Sequence, residues 1–320
     1  MKVVFRVLVL LFGITGVGTS ASFAQSGWTR QTSGTTNGLD AVSFVDAKTG
    51  WAGFTGIDGL YYILNTTDGG DTWTPQLIGR TSDLGLHAVV FVDANTGWAV
   101  GGQPTAPFMG VVVHTTDGGA TWTPQDSGTP YPLLGVCFVD ANTGWAVGYQ
   151  TIVHTTDGGA TWQRQPGGYG FLLGIFFVDA NTGWAVGNNQ LILGTTDGGA
   201  TWATQYNGTD ELAFFGVSFV DANTGWAVGD DGTIVHTTDG GATWTPQSGG
   251  TDGVLSAVAF VDANIGWAVG PGILHTSDGG ATWISQFGLF GITGVSFVDA
   301  NTGWAVGYRG TILHTTTGGE

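Results

Sequence analysis

The chain has 320 residues, of which 58 are glycine and 14 tryptophan; only 10% are charged, and the formal net charge is −17. So few charges among so many aromatics exclude a disordered chain, and so acidic a balance excludes a nucleic-acid partner, because phosphate backbones would be repelled. The single cysteine, Cys137, cannot form an internal disulfide, so the fold has to hold by packing. Placed between Val136 and Phe138, it reads as a small core hydrophobe.

At the N-terminus, Lys2 and Arg6 precede an apolar run at residues 7–12 and a stretch of small residues up to Ala21. Ser22-Phe23-Ala24 fits a small-x-small cleavage site. Residues 1–24 are therefore expected to be a signal peptide, leaving a mature domain at 25–320. The alternative, an uncleaved anchor, meets an apolar run shorter than the ~20 residues a span needs. Export to the periplasm or the extracellular space follows, or to the thylakoid lumen if the host is photosynthetic.

The mature chain then repeats itself. Phe-Val-Asp-Ala-x-x-Gly-Trp-Ala occurs seven times, with its tryptophan at Trp51, Trp98, Trp145, Trp184, Trp226, Trp267 and Trp304. A second phrase, Thr-[Thr/Ser]-Asp-Gly-Gly-x-Thr-Trp, follows six of them, with its aspartate at Asp68, Asp117, Asp157, Asp197, Asp239 and Asp278. Within one unit, 255–261, 267–269, 273–276 and 281–285 read as short strands broken by Gly, Asn, Asp or Pro. A period near 40 with four such strands is that of propeller blades. In the first strand a small residue recurs (Ala41, Ala88, Gly135, Gly174, Gly216, Ala257, Gly294), as crowding around one axis demands.

The last unit ends at Thr317-Gly318-Gly319-Glu320, without its aspartate and fourth strand. Trp28-Thr29-Arg30-Gln31 matches the missing piece, so the N-terminal strand is expected to complete the last blade. The predicted fold is all-β: a seven-bladed β-propeller of four-stranded antiparallel blades. Closure in this way leaves few open edges, and a monomer is expected.

The Thr-Thr-Asp-Gly-Gly-Ala-Thr-Trp units resemble Asp-boxes of the bacterial neuraminidase repeat. Combined with Gly-Trp-Ala-Val-Gly and Thr-Ile-Leu-His-Thr-Thr-Asp-Gly-Gly, they resemble the photosystem II stability/assembly factor family over residues 28–320. The resemblance implies a propeller that binds a membrane-protein assembly intermediate, catalyses nothing and carries a basic patch. Here the cations after the leader, Arg30, Lys48, Arg80, Arg164 and Arg309, are distributed over different blades, so no such patch is expected.

Strand alternation puts the turns after the first and third strands of every blade on one face of the disc, and the remaining connections on the other. The first set barely varies between copies; the second varies in length and chemistry and is the expected binding face. Its candidate residues are Tyr149, Tyr169, Asp230, Asp231, Tyr308 and Arg309, with a protein partner expected. A carbohydrate ligand is the alternative, with Asp58, Asp210, Asp230 and Asp231 as the candidate non-repeat aspartates there for a two-carboxylate glycosidase. The repeated aspartates are read as turn caps rather than calcium ligands, and His114, His154, His236, His275 and His314, at one repeat position, as packing groups. No metal, cofactor or catalytic residue is expected.

Overall fold

In the computed structural model, residues 27–55, 60–80, 85–103, 109–167, 170–208, 211–288 and 291–320 are described. They form seven four-stranded antiparallel sheets, six of them meanders of consecutive strands. Blades 1–6 span residues 39–80, 85–125, 133–164, 172–206, 214–248 and 257–287. Blade 7 takes three strands from residues 292–315, and its outer strand is Trp28–Thr32. That strand pairs with Thr311–Thr315 in register, Trp28 opposite Thr315 and Thr32 opposite Thr311. The ring is thus closed by the N-terminal strand, as the truncated last repeat predicts. The proposed signal peptide lies outside the described residues.

The repeated Phe and Trp build the walls between blades. Each blade's first tryptophan lies flat on the phenylalanine of the next blade. The seven pairs run from Trp51–Phe91 round to Trp304–Phe44, with ring centroids 3.4–3.5 Å apart. The same phenylalanine meets the second tryptophan of its own blade edge-on; in the last blade Trp28 supplies that ring against Phe297. On five stacking tryptophans the strand-three histidine covers the other ring face, as in Trp98–His114 and Trp145–His154. Burial of these imidazoles lowers their pKa. Their packing role follows from geometry.

Two polar latches join each pair of neighbouring blades. The first tryptophan's indole N–H donates to the carbonyl of the first glycine in the next blade's Asp-Gly-Gly turn, or in blade 7 its Thr317-Gly318-Gly319 counterpart, at 2.9–3.2 Å. A glutamine three residues after each second tryptophan donates its amide to the same carbonyl at 2.7–3.0 Å. Trp304 and Gln31 of blade 7 both reach Gly69 of blade 1, so the latch also closes across the chain ends.

The fourth strand starts later than the sequence pattern suggests. In blade 6 it is Ile284–Phe287 rather than 281–285. The aspartate of the preceding turn is the reason: Asp278 accepts the Thr282 N–H and hydroxyl, keeping the chain in the turn until Trp283. Among the described residues no helix is long and apolar enough to cross a membrane.

Candidate functional site

One face of the disc is committed to structure. Each turn after the first strand is held by its aspartate, from Asp46 to Asp299, whose carboxylate accepts backbone N–H groups two and three residues on at 2.7–2.8 Å. In the Asp-Gly-Gly turns, Asp117 accepts from the Thr121 hydroxyl, the Thr121 N–H and the Thr115 hydroxyl. Asp68, Asp157, Asp197, Asp239 and Asp278 repeat the pattern. Those donors favour the charged form and lower the carboxyl pKa, to about 2 at Asp68 and Asp117. Every one of these carboxylates has a local backbone task, the turn-cap role read from their spacing.

The opposite face carries the variation, and the structure separates its predicted residues. Tyr149 sits in a half-buried aromatic group, edge-on to Tyr131 at 5.3 Å and tilted on Phe171 at 4.3 Å. Asp230 turns its carboxylate inward to the Ala213 N–H at 2.9 Å, so it braces its own turn. Asp231 and Arg309 occupy equivalent left-handed positions, at φ 53° and 57°, in the tight turns of blades 5 and 7. Both are exposed. Tyr308 is 61% exposed, with its ring against Gly38 and Gly291. Tyr169, Asp58 and Asp210 lie outside the described residues. The five candidates among the described residues do not converge; they are spread over blades 3, 5 and 7.

Two cations do converge, contrary to the expectation of a dispersed set. Arg30, on the N-terminal strand, and Arg309, on the blade 7 turn, line one cleft of about 660 Å³ with Thr32, Ser33, Thr35 and Asn37. Arg30 donates to the Thr311 hydroxyl at 3.3 Å. The floor is a pair of hydroxyl-capped turns: the Ser33 hydroxyl accepts the Thr35 N–H, and the Thr35 hydroxyl accepts the Asn37 N–H. Two hundred and seventy-nine residues separate these arginines in the chain. Only ring closure brings them together, so spacing could not reveal them. Guanidinium groups flanked by hydroxyls suit a carboxylate or another anion.

A second feature surrounds the axis. The first strand of each blade is the innermost, and these strands pack on one another in a closed ring. In six blades it opens with a β-bulge, one extra residue between a large buried side chain and the small residue noted above. The small residue is needed by its neighbours: a Cβ on Gly174 would stand 2.7 Å from the Phe215 carbonyl oxygen of the next blade. The extra residues are Asp40, His87, Leu134, Leu173, Phe215 and Thr293, and Ser256 holds the corresponding place in blade 6. All seven retain solvent contact, at the mouth of the channel on the variable face. In blade order the ring divides into an apolar arc, Leu134-Leu173-Phe215, and a polar arc, Ser256-Thr293-Asp40-His87. Asp40, with no cation or hydrogen-bond donor holding it among the described residues, has its pKa raised to about 6 by burial. Burial also lowers the pKa of His87 although water reaches it, as expected in a narrow channel. Sequence reading placed the small residues of this strand at the axis and passed over their polar neighbours.

The fold and site define a closed seven-bladed binding propeller with one structural face and one variable face. The chain belongs to the photosynthesis system II assembly factor YCF48 family, whose model matches residues 20–132, 169–248 and 206–289. Among solved structures it is similar to YCF48 bound to D1 peptide, at 23% identity and a TM-score of 0.72 over 91% of this chain and 97% of that one. It is also similar to YCF48 from Cyanidioschyzon merolae, at 21% identity and a TM-score of 0.69 over 90% and 98%. The GH74 xyloglucanase from Xanthomonas campestris matches at 15% identity and a TM-score of 0.70 over 92% of this chain and 54% of that one. At such identities the likeness is one of fold. No curated protein sequence matches the chain significantly.

Proposed function

We propose that this chain is a non-enzymatic, exported propeller that docks a protein partner on its variable face and holds an acidic segment of that partner in the Arg30–Arg309 cleft. The observation that carries the reading is the pairing of two of the chain's seven cations in one cleft of a molecule with net charge −17. Elsewhere that charge repels anions, and screening over about 10 Å keeps the cleft's attraction local. Membership of the YCF48 family supports a protein partner and a role in assembling a membrane complex, and a structure in that family is described as bound to D1 peptide. The leader-like N-terminus supports a periplasmic or extracellular site of action, or the thylakoid lumen if the host is photosynthetic.

The test is capture from the organism's own envelope extract, with bound proteins identified by mass spectrometry. Wild-type mature chain is expected to recover subunits of a membrane complex. Arg30→Glu with Arg309→Glu should weaken capture at least about tenfold, since each charge-assisted hydrogen bond contributes about 1.5–3 kcal/mol. Capture undiminished in the double variant would place the partner elsewhere. Binding or cleavage on a glycan panel with no protein recovered would overturn the reading.

A further inference from the structure

The channel mouth combines features that the cleft does not. Four consecutive blades present Ser256, Thr293, Asp40 and His87, and the other three present Leu134, Leu173 and Phe215. None of those three apolar side chains is among the residues that make up the seven interblade cores. The bulges take them out of the sheet alternation that would have buried them. Opposite stands a carboxylate that no cation or donor holds among the described residues, beside an imidazole that accepts hydrogen bonds when neutral.

We propose that this mouth receives the side chain of a lysine from the docked partner, its ammonium at Asp40 and His87 and its hydrocarbon stem on Leu134, Leu173 and Phe215. The inference rests on the protein-partner reading and adds a residue type that the partner must present. Charge complementarity selects the occupant. An anion is repelled by Asp40, and a wholly apolar side chain leaves that carboxylate desolvated without a partner. Lysine joins an apolar stem to a compact cation with three donors, matching an apolar arc opposed to a polar one.

The site should respond to pH. Ionised Asp40 binds the ammonium and protonated Asp40 does not, so binding strengthens as pH rises through about 6. The inner strands of blades 2 and 7, the second strands of blades 1 and 7, and the blade 7 turn pack against the Asp40 strand. They contribute His87, Tyr308 and Arg309 as the titratable or charged groups. His87 is neutral at neutral pH and gains charge only in acid, where it adds repulsion to the loss of the carboxylate.

The experiment titrates the whole mature chain with an acetylated, amidated Gly-Leu-Lys-Leu-Gly peptide, its norleucine counterpart and n-hexylammonium, followed by NMR. At pH 7.5 the lysine peptide should bind about tenfold more tightly than the norleucine peptide, as one charge-assisted contact provides. The preference should vanish at pH 5 and in Asp40→Asn, which keeps the shape of the side chain. Phe215→Ser should weaken both peptides. Equal binding of the two peptides, or a preference surviving in Asp40→Asn, overturns the proposal. Asp40-dependent binding of n-hexylammonium without the lysine peptide overturns the lysine as source and leaves a free amine. These titrations contain no partner, so their failure is separable from a failed capture through Arg30 and Arg309.

Discussion

Aspartate has two opposite uses in this molecule, and pH distinguishes them. In the Asp-Gly-Gly turns the carboxyl pKa is lowered by donors, so the stability these groups contribute is present at neutral pH and is lost as pH falls below 4 towards 2. Asp40 has its pKa raised to about 6, so its contribution is favourable below pH 4 and is lost as pH rises through 6. Asp40→Asn is therefore expected to stabilise the protein at pH 7 by up to about 2 kcal/mol, a pKa unit being worth about 1.4 kcal/mol before solvent screening. The gain should disappear at pH 4. Urea unfolding at the two pH values measures it, and an equal effect at both would mean that the carboxylate is held by something else. The turn aspartates were legible because their partners lie within four residues. Asp40 was not, because its surroundings come from the neighbouring blades.

At the scale of the strand and the turn, the tryptophan stack is the unit of cohesion. Trp145 has no solvent exposure, lies between His154 and Phe177 and donates to the Gly198 carbonyl. Trp145→Ala opens a cavity across one blade interface and removes a latch donor. It should cost about 3–5 kcal/mol, the range for large aromatic deletions in a core. Denaturant unfolding should show a lower midpoint, and a loss below about 1 kcal/mol would mean that the interface repacks. The repeat showed that these tryptophans matter but not how. The first tryptophan of each unit makes the buried inter-blade stack and the second meets the phenylalanine of its own blade edge-on, a division of roles that the spacing does not express. The glutamine latch was written in the sequence as Trp-x-x-Gln seven times, yet its acceptor lies in the adjacent blade, beyond the reach of any local pattern.

At the scale of the ring, the N-terminal strand joins the first and last residues of the domain. Removing residues 27–37 would leave Thr311–Thr315 as an unpaired edge and take away Trp28, Gln31 and half of the Arg30–Arg309 cleft. The truncated chain is expected to lose its single cooperative thermal transition and to self-associate through the open edge. Calorimetry and size-exclusion chromatography test this; an unchanged transition in a monomeric truncation would show that the velcro strand is dispensable. The sequence by itself determined the blade count, the closure by the N-terminal strand and the face that varies. Those features are periodic, and period survives in one dimension. Tertiary structure alone decided which side chains meet: Arg30 with Arg309 across the seam, and six bulge residues with Ser256 from seven blades around one axis. Their proximity comes from closing the ring, a distance that no interval along the chain encodes.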